Sequence, residues 1–228
     1  MGTPEAHRRF ASCADEGAKN ALNTLLESTR EPSAYRASMT DIGRQLGRIV
    51  DSSIPIGSKC LVVATAEDAD YLAAGVIESL RSSRDILAAI FWNNHYPLNN
   101  GSIAPVVHRY LQPGYQDADY LVVVKSIISS SCVVRTNILA LIEQISPKRI
   151  FVVSPVMYIG AENALRDEFP PAIADLFEFV YFAVDDYRTK TGEVRPGIGG
   201  QVYQLLGLED QPARTGFMPQ LVKTLMAL

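Results

Sequence analysis

Apolar residues recur along this chain in two alternating rhythms. One is the short unbroken run: KCLVVATA (59–66), DILAAIFW (85–92), DYLVVV (119–124), RIFVVSPV (149–156) and FEFVYFAV (177–184). Runs of strand length with no polar alternation predict parallel strands buried on both faces. The other rhythm is helical, in the intervening segments DADYLAAGVIESLRSS, VVRTNILALIEQI and GAENALRDEF. Strands alternating with helices predict an α/β fold, a mostly parallel five-stranded sheet with helices on both faces.

Ahead of the first run, the pattern predicts one helix over about 14–27 and a second after Pro32. In the second, Tyr35, Met39, Ile42 and Leu46 share a face. The stretch NNHYPLNNGSIAPVVHRYLQPGYQ is rich in turn residues and predicts a flap over about 92–117. Near the end, Leu221, Leu225 and Leu228 are spaced for one helix face. The expected organisation is N-terminal helices (1–50), an α/β domain (51–208) and an appended C-terminal helix (209–228).

Composition narrows the function classes. The 228 residues carry a formal net charge of −4 and a pI near 5.4, with no basic stripe, which argues against a nucleic-acid partner. The basic pairs Arg8-Arg9 and Lys148-Arg149 read as solvated surface. Cys13, Cys60 and Cys132 have no ligand-like spacing, so no metal site is expected. The N-terminus lacks an apolar signal region and no run reaches membrane-spanning length. The expectation is therefore a cytoplasmic protein with no membrane partner.

Ligands of parallel α/β sheets bind at the carboxyl ends of the strands. That points to the loops opening at Thr65, Lys125, Ser154 and Asp185. After the third run, Ser129-Ser130-Ser131-Cys132-Val133 joins strand to helix, a geometry that can hold a phosphate on free backbone N–H groups. The same segment is also compatible with a solvated turn whose serines cap the helix. Lys125 has three readings: a phosphate ligand, a surface charge, or an internal ion-pair partner of Glu67 or Asp68. Cys132 has no histidine partner by spacing to make it a nucleophile. His95 and His108 fall in the flap. The glycines of EVRPGIGG suit a loop whose backbone approaches a ligand, or a Pro-Gly turn.

The segment YFAVDDYRTKTGEVRPGIGG resembles the C-terminal uracil-recognition segment of the uracil phosphoribosyltransferases, of the type I phosphoribosyltransferase superfamily. Asp185-Asp186, Gly192, Val194 and Pro196-Gly197-Ile198-Gly199 match in order and spacing. YRASMTDIGRQLGRIV and KRIFVVSPVMYIGAENALRDEFP are similar to further segments, so the likeness spans roughly 35–208. The resemblance implies the type I phosphoribosyltransferase fold, with a flap and a C-terminal base-recognition loop. It also implies a homodimer, phosphate binding at Ser129 to Val133, and base binding through Val194, Gly197, Ile198 and Gly199; Lys125, as a phosphate ligand, would add a charge to that loop. Asp185 and Asp186 would pin the base loop, meet a ribose, or simply cap the strand end.

Departures from the family fall where it touches substrate. Its pyrophosphate-gripping arginine segment corresponds to the acidic ATAEDAD, with Glu67 and Asp68. Asn93 stands near a second family arginine, and Leu111 near a family lysine. Lys125 takes an acidic place in the phosphoribosyl-pyrophosphate loop, and Gly200 replaces a final aspartate. The expected function is a divergent member that binds a nucleotide, nucleobase or sugar phosphate without ordinary UMP synthesis, any catalysis being altered glycosidic-bond chemistry. The alternatives are a non-catalytic regulatory or partner subunit, and an active uracil phosphoribosyltransferase. Magnesium is expected only if a diphosphate substrate is retained.

Overall fold

The five apolar runs become neighbouring strands in the computed structural model of the chain, which describes residues 7–94, 96–98, 101–208 and 216–227. In chain order the elements are β1 (Arg8–Phe10), α1 (Glu16–Glu27), α2 (Pro32–Ser53) and β2 (Lys59–Thr65). A short α3 (Ala66–Asp68) widens into a π-helical turn (Ala69–Ala73) and resumes as α4 (Ala74–Leu80). Then come β3 (Asp85–Asn93), the small pair β4 (Tyr96–Leu98) and β5 (Gly101–Ile103), β6 (Val106–Leu111), β7 (Tyr120–Val124) and β8 (Ile127–Ile128). The rest is α5 (Cys132–Ile142), β9 (Arg149–Tyr158), α6 (Ala161–Arg166), α7 (Pro171–Ala174), β10 (Phe177–Asp185), β11 (Tyr187–Arg188), β12 (Val194–Arg195), α8 (Val202–Leu205) and α9 (Gln220–Leu225).

The main sheet runs β1-β10-β9-β7-β2-β3-β6, with β8 also on β9. Its five central strands are mutually parallel; β1 and β6 close the two edges antiparallel. Successive strand residues point to opposite faces, and both faces are covered. Val62, Ala64, Val122, Val124, Phe151 and Val153 join the core shared with α1, α2 and α4. Leu61, Val63, Leu121, Val123, Ile150 and Val152 join the core under α5 and α6. This two-sided burial explains why the strands read as unbroken apolar runs.

Two boundaries differ from expectation. Within the predicted flap, Val106–Leu111 form β6, the edge strand paired with β3, while the β4–β5 pair stands apart from the main sheet. The three-residue β1 is too short to leave a periodic signal. The chain order β2, β3, then β7 on the far side of β2 places a topological switch point between β2 and β7. Sheets of this kind bind ligands at the carboxyl ends beside such a point, which here lies between Thr65 and Lys125. Among the described residues, no helix is long and apolar enough to cross a membrane.

Helix α2 buries Tyr35, Met39, Ile42, Leu46 and Val50, the expected face extended by one turn. It approaches the π-helical turn and α4 backbone to backbone. A Cβ on Gly43 would lie 2.2 Å from the Leu72 carbonyl oxygen, and one on Gly75 2.2 Å from the Thr40 oxygen. Gly43→Ala should therefore lower the thermal midpoint by several degrees. An overpacking cost of about 1–3 kcal/mol outweighs the helix-propensity gain of at most about 1 kcal/mol. Differential scanning calorimetry checks this, and an unchanged or raised midpoint contradicts the close approach.

Candidate functional site

At the switch point the chain places a cation among acids. Lys125 leaves the end of β7, and its Nζ lies 2.7 Å from Asp68 Oδ2 and 3.3 Å from Glu67 Oε1. All three side chains are largely out of water, with 12% of Lys125, 15% of Glu67 and 1% of Asp68 exposed. Of the three readings of Lys125, the geometry is that of the internal ion pair. The Thr65 hydroxyl donates to Asp68 Oδ2 at 2.9 Å, which fixes that carboxylate in the first turn after β2. Burial alone would push the Lys125 ammonium down. The charges of Asp68 and Glu67, and their hydrogen bonds, more than reverse this and hold it above the ordinary lysine range.

The remaining acids of ATAEDAD hold the C-terminal segment. Tyr203 donates to Glu67 Oε2 at 3.4 Å. Asp70 accepts from the backbone N–H groups of Gln220 and Leu221 at 2.9 and 2.8 Å, capping α9 from outside its own sequence. Trp92, near the end of β3, donates its indole N–H to the Phe217 carbonyl at 2.5 Å. The acidic loop after β2 is thus engaged by parts of its own chain. One atom is left over: Asp68 Oδ1 is buried with no hydrogen-bond partner among the described residues.

On the far side of β7, the 194–199 loop is pinned by Asp185, the last residue of β10. Asp185 is fully buried and accepts from Arg8 Nε at 2.8 Å, Arg8 Nη2 at 2.7 Å and the Gly197 N–H at 2.7 Å. Arg8 Nη2 also donates to the Gly197 carbonyl at 2.6 Å. Arg8 was expected on the surface with Arg9. That is corrected here: β1 alternates, and Arg8 faces inward to offset a buried carboxylate. Gly197 has φ +56°, and a Cβ there would lie 2.3 Å from the Val194 carbonyl oxygen. The buried Tyr35 hydroxyl donates to the Ile198 carbonyl at 2.9 Å. Burial, and then the Asp68 charge, push the Tyr35 phenol up, so it stays a donor. The loop is therefore built by side chains from β1, α2 and β10.

The serine loop starts later than the sequence implies, because Ile127–Ile128 first pairs as β8 with Val156 and Met157 of β9. Ser129, Ser130 and Ser131 then lead directly into α5 at Cys132, with Val133 in its first turn. Ser131 makes no side-chain cap hydrogen bond; its hydroxyl donates to Glu168 Oε1 at 3.2 Å, and Glu168 also meets Arg135 at 2.8 Å. Arg188 Nη1 donates to the Ser129 carbonyl at 2.8 Å. Its guanidinium lies 4.7 Å from the centroid of the Tyr158 ring.

Other expected positions lie elsewhere. Asn93 donates to the Ala104 carbonyl at 3.0 Å and to Asn137 Oδ1 at 2.9 Å, tying β3 to the segment before β6 and to α5. Asp186 is exposed and accepts from the His7 N–H at 3.0 Å. His108 stacks edge-on with Trp92, Leu111 lies on edge strand β6, and His95 is outside the described residues. No group of three or more His, Cys, Asp or Glu suited to a metal occurs among the described residues. Arg8 was read as surface and Tyr35 only as part of a helix face, while Asp70, Glu168, Arg188 and Tyr203 were not singled out from the sequence, since each acts through a partner distant along the chain.

Removing Lys125 leaves two nearly buried carboxylates facing each other. Lys125→Met should cost about 3–5 kcal/mol, the usual penalty for breaking a buried pair, and the Lys125→Met/Glu67→Gln/Asp68→Asn triple variant should recover much of it. Chemical denaturation measures both; equal losses in the two variants would remove the coupling. Because the folded-state pKa of Lys125 is raised, its contribution is fully present below the unfolded lysine pKa of about 10.4. It declines as pH rises through the higher folded value. The stability gap between wild type and Lys125→Met should therefore hold through neutral pH and narrow only above about pH 10.

No family model and no curated protein matches this chain. Among solved structures it is similar to the AQ2163 protein from Aquifex aeolicus, with a TM-score of 0.68 and 13% identity, over 85% of this chain and 95% of that one. It is less similar to a hypoxanthine phosphoribosyltransferase from Staphylococcus aureus, with a TM-score of 0.42, 11% identity, and 54% and 65% of the two chains covered. For the L. donovani hypoxanthine-guanine phosphoribosyl transferase the TM-score is 0.43, with 7% identity over 81% of this chain and 88% of that one. At these identities the Aquifex likeness establishes a shared fold, and the two weaker ones carry no statement about chemistry.

Proposed function

We propose that the chain is a divergent phosphoribosyltransferase-like protein that binds a nucleotide, nucleobase or sugar phosphate and does not make UMP from uracil and phosphoribosyl pyrophosphate. The phosphate would lie at Ser129 to Val133 and the base at Val194 to Gly199, as the uracil phosphoribosyltransferase resemblance implies. One observation supports the loss of ordinary transfer above all: Lys125 is held by Asp68 and Glu67 at the switch point. A magnesium–diphosphate leaving group needs converging cations there. The chain offers carboxylates, and the ammonium nearest to them is already neutralised.

The magnitude is decisive. Each missing charge-assisted hydrogen bond is worth about 1.5–3 kcal/mol, so three lost cations weaken diphosphate binding by orders of magnitude even without additivity. The glycosyl-transfer transition state gains positive charge on the ribose, which unpaired carboxylates would stabilise. Glu67 and Asp68 spend that charge on Lys125. The residues therefore do not fit a magnesium-diphosphate, and no step is assigned to one.

The base side keeps more. The Gly197 N–H and carbonyl and the Ile198 carbonyl have internal partners. Among the described residues, the Ile198 N–H and Gly199 carbonyl do not. One donor and one acceptor are what the imide edge of a pyrimidine can match.

Isothermal titration with UMP, uracil and ribose 5-phosphate tests the reading. UMP should bind with a Kd below about 1 mM, and uracil incubated with phosphoribosyl pyrophosphate and magnesium should give no UMP. Absence of heat with all three ligands removes the binding proposal. Appearance of UMP replaces it with the ordinary transferase.

A further inference from the structure

The serine loop lacks a cation from its own strand, because Lys125 is turned to the acids of the β2 end. Other guanidinium groups around the two loops are also neutralised: Arg8 by Asp185, Arg135 by Glu168 and Arg195 by Glu193. Arg188 differs. It is exposed, has no carboxylate partner among the described residues, and is nonetheless held in place. One N–H donates to the Ser129 carbonyl, and the guanidinium carbon lies over the Tyr158 ring.

Resting on the proposed phosphate-and-base site, we infer that Arg188 is its phosphate-recognising cation, and that the ligand it selects is a nucleoside monophosphate. A guanidinium has five N–H donors in a rigid fork, and the Ser129 carbonyl takes one. The rest are free for phosphate oxygens. Engaging that carbonyl also masks a partial negative charge that would otherwise repel a phosphate on the loop. Stacking on an aromatic ring restrains the long side chain before a ligand arrives, which lowers the entropy lost on binding.

Placement links this cation to the base loop. Arg188 lies on β11 opposite Val194 of β12, and β12 runs straight into Pro196 and Gly197. The hairpin that carries the base loop thus reaches across to the phosphate loop. A ligand with a base on the 194–199 loop and a phosphate on the serine loop would therefore pass beside Arg188. Among the described residues Arg188 is the guanidinium that touches Ser129 without a carboxylate partner, and one such group suits one phosphate. Glu168, which accepts from the Ser131 hydroxyl, adds a negative charge beside it that opposes a second. A second would extend toward Glu67, Asp68 and Asp70, where the acids lie.

The experiment is calorimetric titration of UMP, ribose 5-phosphate and uracil into the full-length wild type, Arg188→Gln and Arg188→Lys, with thermal midpoints recorded for each. In Arg188→Gln, UMP and ribose 5-phosphate should weaken by about 10- to 100-fold, the scale of a lost charge-assisted contact. Uracil should change by less than about twofold, and Arg188→Lys should recover part of the phosphate affinity because it keeps the charge without the fork. Unchanged UMP affinity in Arg188→Gln overturns the assignment. So does a parallel loss of uracil, which marks Arg188 as a strut. Should Arg188→Gln fail to fold, Arg188→Lys decides by the same contrast between phosphate ligands and uracil. Wild type that binds none of the three removes the underlying site, a result distinct from a wild type that binds UMP as tightly as Arg188→Gln.

Discussion

The arrangement at the carboxyl edge follows from one electrostatic requirement: the ammonium of Lys125, nearly out of water at the end of β7, must be matched by negative charge. The loop after β2 is its nearest neighbour across the switch point, so that loop has to be acidic. Asp68 supplies the closest carboxylate and is itself fixed by Thr65. Glu67 divides its two oxygens between Lys125 and Tyr203. Tyr35, whose phenol feels the Asp68 charge, is kept a neutral donor to the base loop. The acids at this sheet edge thereby also seat the C-terminal segment, through Tyr203 and the N–H groups of Gln220 and Leu221.

Much of the fold was legible because it rests on local periodicity. The five parallel strands are continuous apolar runs, and both cores require that pattern. The face of α2 repeats at three- and four-residue spacing. The Lys125 pairing was legible for another reason: two neighbouring loops each carried a charge opposite to the one their resemblance implied. Compensated reversals of that kind can be seen without coordinates, although sequence alone left two other readings of Lys125 open.

What stayed hidden depends on distance along the chain. Arg8 reads as surface because a three-residue strand shows no period, and its partner Asp185 lies 177 positions away. Asp70 caps a helix 150 residues later. Glu168 meets Ser131 only because the segment after α6 returns toward the start of α5. Ile127 and Ile128 looked like the mouth of a loop, but they extend the sheet as β8 because β9 continues past the end of β7 and offers them an edge. None of these contacts has a local signature, and together they build most of the candidate site.

On the proposed reading the two halves of the site differ in which atoms would recognise a ligand. Diphosphate recognition depends on side-chain charge, so acids at Glu67 and Asp68, with Asn93 and Leu111 at the other two places, would remove it. Base recognition through main-chain groups depends on the path of the backbone, and that path is secured by Asp185, Arg8, Tyr35 and the steric demand at Gly197. A side-chain site can be lost by substitution, whereas a main-chain site persists until its supports are removed. Here the supports are bonded to one another, and the acids of the loop after β2 serve the fold themselves, through Lys125, Tyr203 and α9. Restoring a single arginine in the β2 loop would strip a carboxylate from this cluster before it could grip a diphosphate. The Lys125–acid arrangement is therefore held in place by folding stability.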